Sequence, residues 1–292
     1  MYTTLISAPQ LQTLLGETPP PLVFDCSFEL MTPGAGDLQY QEAHIPSAMR
    51  ADLDRHLSAE KSATDAASGG RHPLPSRLRF AAWLKHVGWT PERQVVVYDR
   101  QGGNYCGRLW WMLQWMGHNK VAVLDGGLPA WQALGGATAS ASQLDLTAPV
   151  YDGNVALTPA QTALATTNTI ASNLHQTTQT LIDARAAPRF RGEIEPLDPV
   201  AGHIPGALNR PFALNFKADG TFKSAADLRT EFEALLDGRD PATVVHHCGS
   251  GVSAVPNLIA MEIAGLGRTA LYAGSWSEWC SDPSRPVAKG EA

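Results

Sequence analysis

The chain repeats itself, and this constrains the fold more than any other feature of the sequence. In the first half, Leu22-Val-Phe-Asp25 is followed by Ala43-His-Ile-Pro-Ser-Ala48, and in the second, Leu181-Ile-Asp183 is followed by Gly202-His-Ile-Pro-Gly-Ala207. The offsets agree, 158 residues from Asp25 to Asp183 and 159 from His44 to His203. Val95-Val-Val-Tyr-Asp99 is then answered by Thr243-Val-Val-His-His-Cys248, 149 residues from Asp99 to Cys248. Last, Asp125-Gly-Gly-Leu-Pro-Ala-Trp131 is answered by Ala273-Gly-Ser-Trp-Ser-Glu-Trp279, at an offset of 148. Four matches in one order mark a duplicated domain. The fall of about ten in offset points to extra residues in the first half, for which the polar stretch 58–75 is the candidate. A chain of 292 residues, 44% of them hydrophobic, has enough apolar material for two cores.

Within each half, short β-branched runs alternate with helical patterns. The runs 95–98, 121–124, 180–182, 243–246 and 269–272 read as buried strands, and 108–116 and 254–264 as helices between them. Such alternation predicts α/β domains, each a parallel sheet flanked by helices. The Ala/Thr/Ser-rich stretch around 135–148 lacks large apolar residues and marks the boundary. The division expected is a first domain over 1–140, a linker over 141–157 and a second domain over 158–292, with Thr158 capping a helix over 158–165.

Charge and cysteine usage exclude several functions. The formal charge is −6 and no Lys/Arg block occurs, which argues against dedicated binding of nucleic acid or an anionic membrane. The four cysteines, Cys26, Cys106, Cys248 and Cys280, show no CxxC spacing, so neither a zinc ribbon nor a disulfide scaffold is expected, and no metal site. The first residues carry no charged segment leading into an apolar run, and no stretch is long and apolar enough to span a bilayer. A reduced, cytoplasmic protein is the expectation.

One cysteine sits where strand chemistry can use it. Val244-Val-His-His-Cys248-Gly-Ser-Gly-Val-Ser-Ala254 reads as a strand, a Gly-containing turn and a helix start, and ligands of open parallel sheets bind beyond the carboxyl ends of the strands. Gly249 and Gly251 let successive amide N–H groups turn inward as an anion nest, at the positive end of the following helix. Such a nest suits a thiolate, the nucleophilic form of cysteine. A cysteine phosphatase would place Arg six residues after the nucleophile to neutralise phosphoryl oxygens, and this chain has Ala254 there. A cysteine hydrolase would need a histidine base. His246 and His247 lie within the strand, where the pleat rather than the turn directs them, and they read as core or edge residues.

The tandem halves, the paired His-Ile-Pro-x-Ala segments and Cys248-Gly-Ser-Gly-Val-Ser-Ala254 resemble the rhodanese superfamily of sulfurtransferases, over roughly residues 22–279. The uncharged loop is similar to that of 3-mercaptopyruvate sulfurtransferases, whereas thiosulfate-using members carry basic residues there. The resemblance implies two tandem rhodanese-like domains and a persulfide on Cys248. It also implies a small-molecule sulfur donor, a thiol acceptor such as thioredoxin or a small thiol, or cyanide, and no cofactor. Gly249, Gly251, Val252 and Ser253 would line the donor. A thiosulfate:cyanide sulfurtransferase and a non-catalytic sulfur carrier are the alternatives.

Asp99 takes the cysteine position in the first half, which leaves that domain non-catalytic. By resemblance, Ser250 works with His72, in Arg71-His-Pro-Leu-Pro75, and with Asp54 to protonate the departing pyruvate enolate. In Asp183-Ala-Arg185-Ala-Ala-Pro-Arg189, Arg189 matches a substrate arginine suited to a carboxylate. Arg185 is a second substrate-binding candidate, with pairing to buried acidic groups as its alternative role. The family's further substrate arginine lies in a Glu-Pro-Arg segment, where this chain reads Glu195-Pro196-Leu197.

Overall fold

The computed structural model describes residues 1–32, 34–141 and 157–291. All but the ends of the expected linker 141–157 therefore lies outside the described residues. Two compact units result. The first comprises Met1–Ala59, Pro75–Gln161 and Ala218–Phe222, and the second Glu60–Leu74, Thr162–Lys217 and Lys223–Ala292. The units thus depart from the sequence halves at two segments. The polar stretch of the first half supplies residues 60–74 to the second unit, and a short piece of the second half packs with the first.

The first unit holds β1 (Leu5–Ile6), β2 (Leu22–Asp25), β3 (Met49–Arg50), β4 (Val95–Tyr98) and β5 (Val121–Leu124). They form an all-parallel sheet in the order β1-β5-β4-β2-β3. Its helices are α1 (Ala8–Leu14), α2 (Ala35–Glu42), α3 (Arg77–His86), α4 (Cys106–Trp115) and α5 (Gly127–Ala133). The central strands are predominantly apolar and buried on both faces, as a sheet covered by helices requires. Every residue of α4 is buried, so its sequence carries no polar stripe. Ser7 closes a capping box with Gln10 at the start of α1, and the Ser76 hydroxyl accepts the Arg79 N–H at the start of α3.

The second unit repeats the plan. Strands β6 (Ala163–Ala165), β7 (Thr180–Asp183), β8 (Leu208–Asn209), β9 (Val244–His247) and β10 (Ala270–Tyr272) pair in parallel in the order β6-β10-β9-β7-β8. Helices α6 (Thr167–Ser172), α7 (Ala187–Phe190), α8 (Ala225–Leu236), α9 (Val255–Ile263) and α10 (Ser275–Trp279) accompany them, with Ser224 capping α8. The expected helix over 158–165 is replaced by extended chain and strand β6, whose Ala163 to Ala165 register with Ala270 to Tyr272. Thr158 is no cap: its hydroxyl donates to the Met116 carbonyl at 2.6 Å, and the helix cap falls to Thr166. An edge strand of three residues, half exposed, carries too little pattern to reveal itself.

The repeated His-Ile-Pro segments are structural in both units. His44 stacks on Tyr40 at 4.1 Å and bonds its carbonyl at 2.8 Å. His203 does the same with Phe190, at 3.8 and 2.8 Å. Ile45 and Ile204, next in each motif, are fully buried.

Candidate active site

Strand β9 leads directly into Cys248, which is 3% exposed, at the carboxyl edge of the second sheet. The chain leaves the strand through a loop that cannot rise away from the turn between β10 and α10. The Cys248 carbonyl accepts the Trp276 N–H at 3.0 Å, and the Gly249 carbonyl accepts the Ser277 N–H at 2.9 Å. Gly251 turns with φ +73°, and a side chain there would collide with the Ala273 carbonyl, so glycine is required both for conformation and for space. The Cys248 N–H donates to the Ser275 hydroxyl at 3.1 Å, which donates in turn to the Tyr272 carbonyl at 2.9 Å. Ser275 does this from φ +56°, a left-handed conformation that non-glycine residues adopt only at a cost.

Residues 67–74 are seated against the same turn. The Arg71 N–H donates to the Ser277 hydroxyl at 3.0 Å, and the Ala67 N–H closes the segment on the Leu74 carbonyl at 2.8 Å. A Cβ on Gly69 would lie 2.9 Å from the Glu278 carboxyl carbon, which explains the small residue there. This seating brings His72 Nδ1 within 2.8 Å of the Ser250 hydroxyl, both residues being 6% exposed. Of the three residues expected to act with Cys248, two, His72 and Ser250, are therefore hydrogen-bonded to each other, Ser250 lying two residues after Cys248. Asp54 is an exposed residue of the first unit. Its neighbour Asp52 is buried and committed elsewhere, pairing with Arg50 at 3.0 Å and accepting the Asp54 and Arg55 N–H groups.

The arginines divide into two kinds. Arg185 is 3% exposed and belongs to the scaffold. Its guanidinium bonds Asp183 at 2.6 Å, Glu195 at 3.3 Å and the Gly202 carbonyl at 2.7 Å, and lies 4.8 Å over Trp276. All three of its nitrogens are engaged, so the alternative of pairing with buried acids describes it better than donor binding. Burial pushes the Asp183 carboxyl up, yet the charge of Arg185 and its hydrogen bonds hold it below the usual carboxylate range.

Arg189, presented by the single turn of α7, bonds Glu195 at 2.6 Å and Asp198 at 3.3 Å. Asp198 also receives Arg71 at 2.6 Å. Burial, together with Glu195, keeps the Asp198 carboxyl above the usual range against both arginines. Leu197 donates its N–H to Glu195 and brings no charge to the group. The guanidinium nitrogens of Arg189 lie 3.6 Å, and Nη2 of Arg71 2.9 Å, from where a Cβ on Gly249 would stand.

His246 and His247 are fully buried, as their place in the strand predicts. Burial holds His246 down at about 3 and His247 below the usual range, so both are neutral at physiological pH. The other cysteines are poor nucleophiles. Burial, then the charges of Asp25 and Asp99 respectively, push the thiols of Cys26 and Cys106 well up, and burial raises Cys280. Sequence reasoning passed over Arg71, Asp198, Glu195 and Ser275. Only Ser275 left a signal: it stands where the first repeat has Gly127, which shares its left-handed backbone at φ +59°.

A cavity of about 510 Å³ opens near Thr180 and Leu181, at the amino end of β7 and so at the opposite sheet edge from Cys248. Among the described residues, no group of histidine, cysteine and acidic side chains is placed to hold a metal, and no helix is long and apolar enough to cross a membrane.

Comparison with known proteins gives a consistent picture. Residues 7–134 and 166–282 each match the family model described as the rhodanese-like domain. A "probable 3-mercaptopyruvate sulfurtransferase" of Pseudomonas aeruginosa is 46% identical over 290 residues, 98% of each chain. A "putative thiosulfate sulfurtransferase" of Mycobacterium tuberculosis is 38% identical over 295 residues, 99% of this chain and 98% of that protein. The solved structure of a 3-mercaptopyruvate sulfurtransferase from Leishmania major superposes with a TM-score of 0.80 at 30% identity, covering 96% of this chain and 74% of that one.

Proposed function

Because this chain belongs to the rhodanese-like family, twice over, we propose that it is a sulfurtransferase that moves sulfur from 3-mercaptopyruvate to a thiol or cyanide acceptor through a persulfide on Cys248. One observation carries the reading: a cysteine directly follows the central strand β9 and opens a glycine turn whose Ser250 is hydrogen-bonded to His72. The carboxyl edge of a parallel sheet is where such folds do chemistry.

The residues then take the following parts. The Cys248 thiolate attacks the donor sulfur, and the carbon–sulfur bond breaks with its electron pair going to carbon. This leaves Cys248 carrying a terminal sulfur and releases the enolate of pyruvate. The Ser250 hydroxyl, bonded to His72, is the proton source that converts the enolate to pyruvate, with His72 returning the proton from solvent. A thiolate acceptor, such as a small thiol or thioredoxin, attacks the terminal sulfur and restores Cys248; cyanide in its place leaves as thiocyanate. No metal or organic cofactor enters this sequence. Asp54 is proposed as the acid that orients His72, and Arg189 as a carboxylate contact for the donor. Gly249, Gly251, Val252 and Ser253 form the wall the donor meets, and Arg185 keeps Asp183 and the strand ends in place beneath it. The four cysteines are free, which fits a reducing cytoplasmic setting.

Thiosulfate is the rival donor, favoured by the name of the Mycobacterium tuberculosis relative. The uncharged segment 249–253 resembles the loop of mercaptopyruvate-using members rather than the basic loop of thiosulfate-using ones, which favours mercaptopyruvate. Steady-state comparison decides: a higher kcat/KM with mercaptopyruvate is expected, and a higher value with thiosulfate reverses the donor assignment.

A further inference from the structure

Two guanidinium groups converge over Gly249, and the sequence accounts for only one of them. Arg189 arrives from α7, within the second half. Arg71 arrives from the segment 60–74, far away in the chain but part of the same compact unit. Asp198 joins them, its Oδ1 taking Arg71 Nη1 at 2.6 Å and its Oδ2 taking Arg189 Nη2 at 3.3 Å. Glu195 takes the Nε and Nη2 of Arg189. The acids hold both heads against Gly249: Nη2 of Arg71 stands 2.9 Å, and both Nη1 and Nη2 of Arg189 stand 3.6 Å, from its Cβ position. Arg71 Nε is buried and has no hydrogen-bond partner among the described residues. A buried guanidinium nitrogen without an acceptor is costly, and an anion bound beside it relieves that cost.

We propose that Arg71 is the second cation of the donor's carboxylate site, in the place of a charge that Leu197 does not supply. The inference rests on the reading that the donor of this site carries a carboxylate. Its stem is fixed at the backbone by the Ser277 hydroxyl, and its head is fixed by Asp198, so little side-chain freedom is lost when the donor binds. Arg71 precedes His72, which faces Ser250 at 2.8 Å. One short segment therefore delivers both a charge for the carboxylate end of the donor and a histidine for the end that receives the proton. Glycine at 249 leaves the volume between the two arginines open, and Gly249→Ala would press on the Arg71 head.

The test is steady-state kinetics of Arg71→Gln and Arg71→Lys with two donors, 3-mercaptopyruvate and its neutral analogue mercaptoacetone, which keeps the thiol and ketone but lacks the carboxylate. Arg71→Gln is expected to raise KM for mercaptopyruvate roughly ten- to a hundredfold, the worth of one charge-assisted hydrogen bond, with kcat changed far less. Arg71→Lys should fall between, and kcat/KM for mercaptoacetone should not move. Adding Leu197→Arg to Arg71→Gln should recover part of the lost KM. Equal losses with both donors, or a loss in kcat alone, would overturn the proposal and make Arg71 a support for His72. The reading beneath it fails separately, if wild-type protein prefers mercaptoacetone to mercaptopyruvate or takes sulfur from neither.

Discussion

Asp99 and Cys248 directly follow equivalent strands, β4 and β9, and the loops they open turn at equivalent glycines, Gly102 at φ +70° and Gly251 at φ +73°. Their carbonyls are held alike, Asp99 by the Leu128 N–H and Cys248 by the Trp276 N–H, each at 3.0 Å. The side chains part company. The Asp99 carboxylate folds into its own loop and accepts the N–H groups of Gln101, Gly103, Tyr105 and Cys106 at 2.8 to 2.9 Å. Asp99 is therefore more than the absence of a nucleophile: the first loop is an anion nest that supplies its own anion. The second loop keeps the shape with a thiol at its root. On the proposed reading, the place that the first unit fills with a permanent carboxylate is the one that the second gives to a thiolate and its persulfide.

The strand-end acids teach the same lesson one position away. Asp25 and Asp183 are both fully buried at the ends of β2 and β7. Asp25 is paired with Arg100 at 3.2 Å, a residue of the loop itself, in the position that is Gly249 in the second repeat. Asp183 is paired with Arg185 at 2.6 Å, from its own strand's exit. Moving the counter-charge off the loop leaves position 249 empty, and the space is what Arg71 and Arg189 overlook.

The comparison breaks most sharply at its two roots. Cys248→Ser should abolish sulfur transfer from every donor, on the order of 10⁴-fold or more, with circular dichroism unchanged, because an alcohol holds no persulfide. Residual turnover at a tenth of wild type would refute the assignment. Asp99→Ala should leave turnover per folded molecule unaltered but strip four N–H groups of their acceptor, two of them buried and two half-buried, at roughly 1–3 kcal/mol for each buried one before relaxation. A loss of about 3–5 kcal/mol in urea unfolding is expected. Six of the eight tryptophans lie in the first unit, so fluorescence reports this loss directly. No loss would mean that the self-filled nest adds nothing.

Smaller effects sharpen the contrast. His72→Ala should lower kcat with mercaptopyruvate by roughly 10²-fold, the usual worth of a positioned acid–base group. Thiosulfate releases sulfite and needs no carbon protonated, so its rate should fall much less. Equal losses would make His72 structural. The smallest effect is in pH. Burial holds His56 and His118 of the first unit at about 4 and His246 of the second at about 3, all below the ordinary 6.5. The unfolded chain therefore takes up protons first. Stability is complete above pH 6.5 and drains as pH falls toward 4, by about 1–2 kcal/mol per histidine by pH 5. His118→Gln should flatten that decline in urea midpoints measured from pH 7 to pH 5, and an unchanged slope would exclude His118 as a source.

Much of this was legible in the residues because the repeat prints the fold twice. The runs 95–98 and 121–124 coincide with β4 and β5, and the Cys248 loop falls where its glycines require a turn. The edge strands β1, β3 and β8 have two residues each, too few to display any period, and β6 was read as helix. His72 was found through resemblance alone. Arg71 and Asp198 were invisible because they meet only after a segment of the first half packs into the second unit. No local pattern encodes a partner 127 residues away. Asp99 was read for what it lacks, and the four amides around its carboxylate became apparent only once the loop was in view.

The central claim is that one of two equivalent loops accepts sulfur. Intact-mass analysis of wild-type protein and of Cys248→Ser after incubation with mercaptopyruvate, followed by peptide mapping, tests it most directly. One added sulfur atom on the wild-type peptide containing Cys248, and none on the variant, is the predicted result. Sulfur found on Cys26, Cys106 or Cys280 instead, or turnover without any added sulfur, would contradict the account.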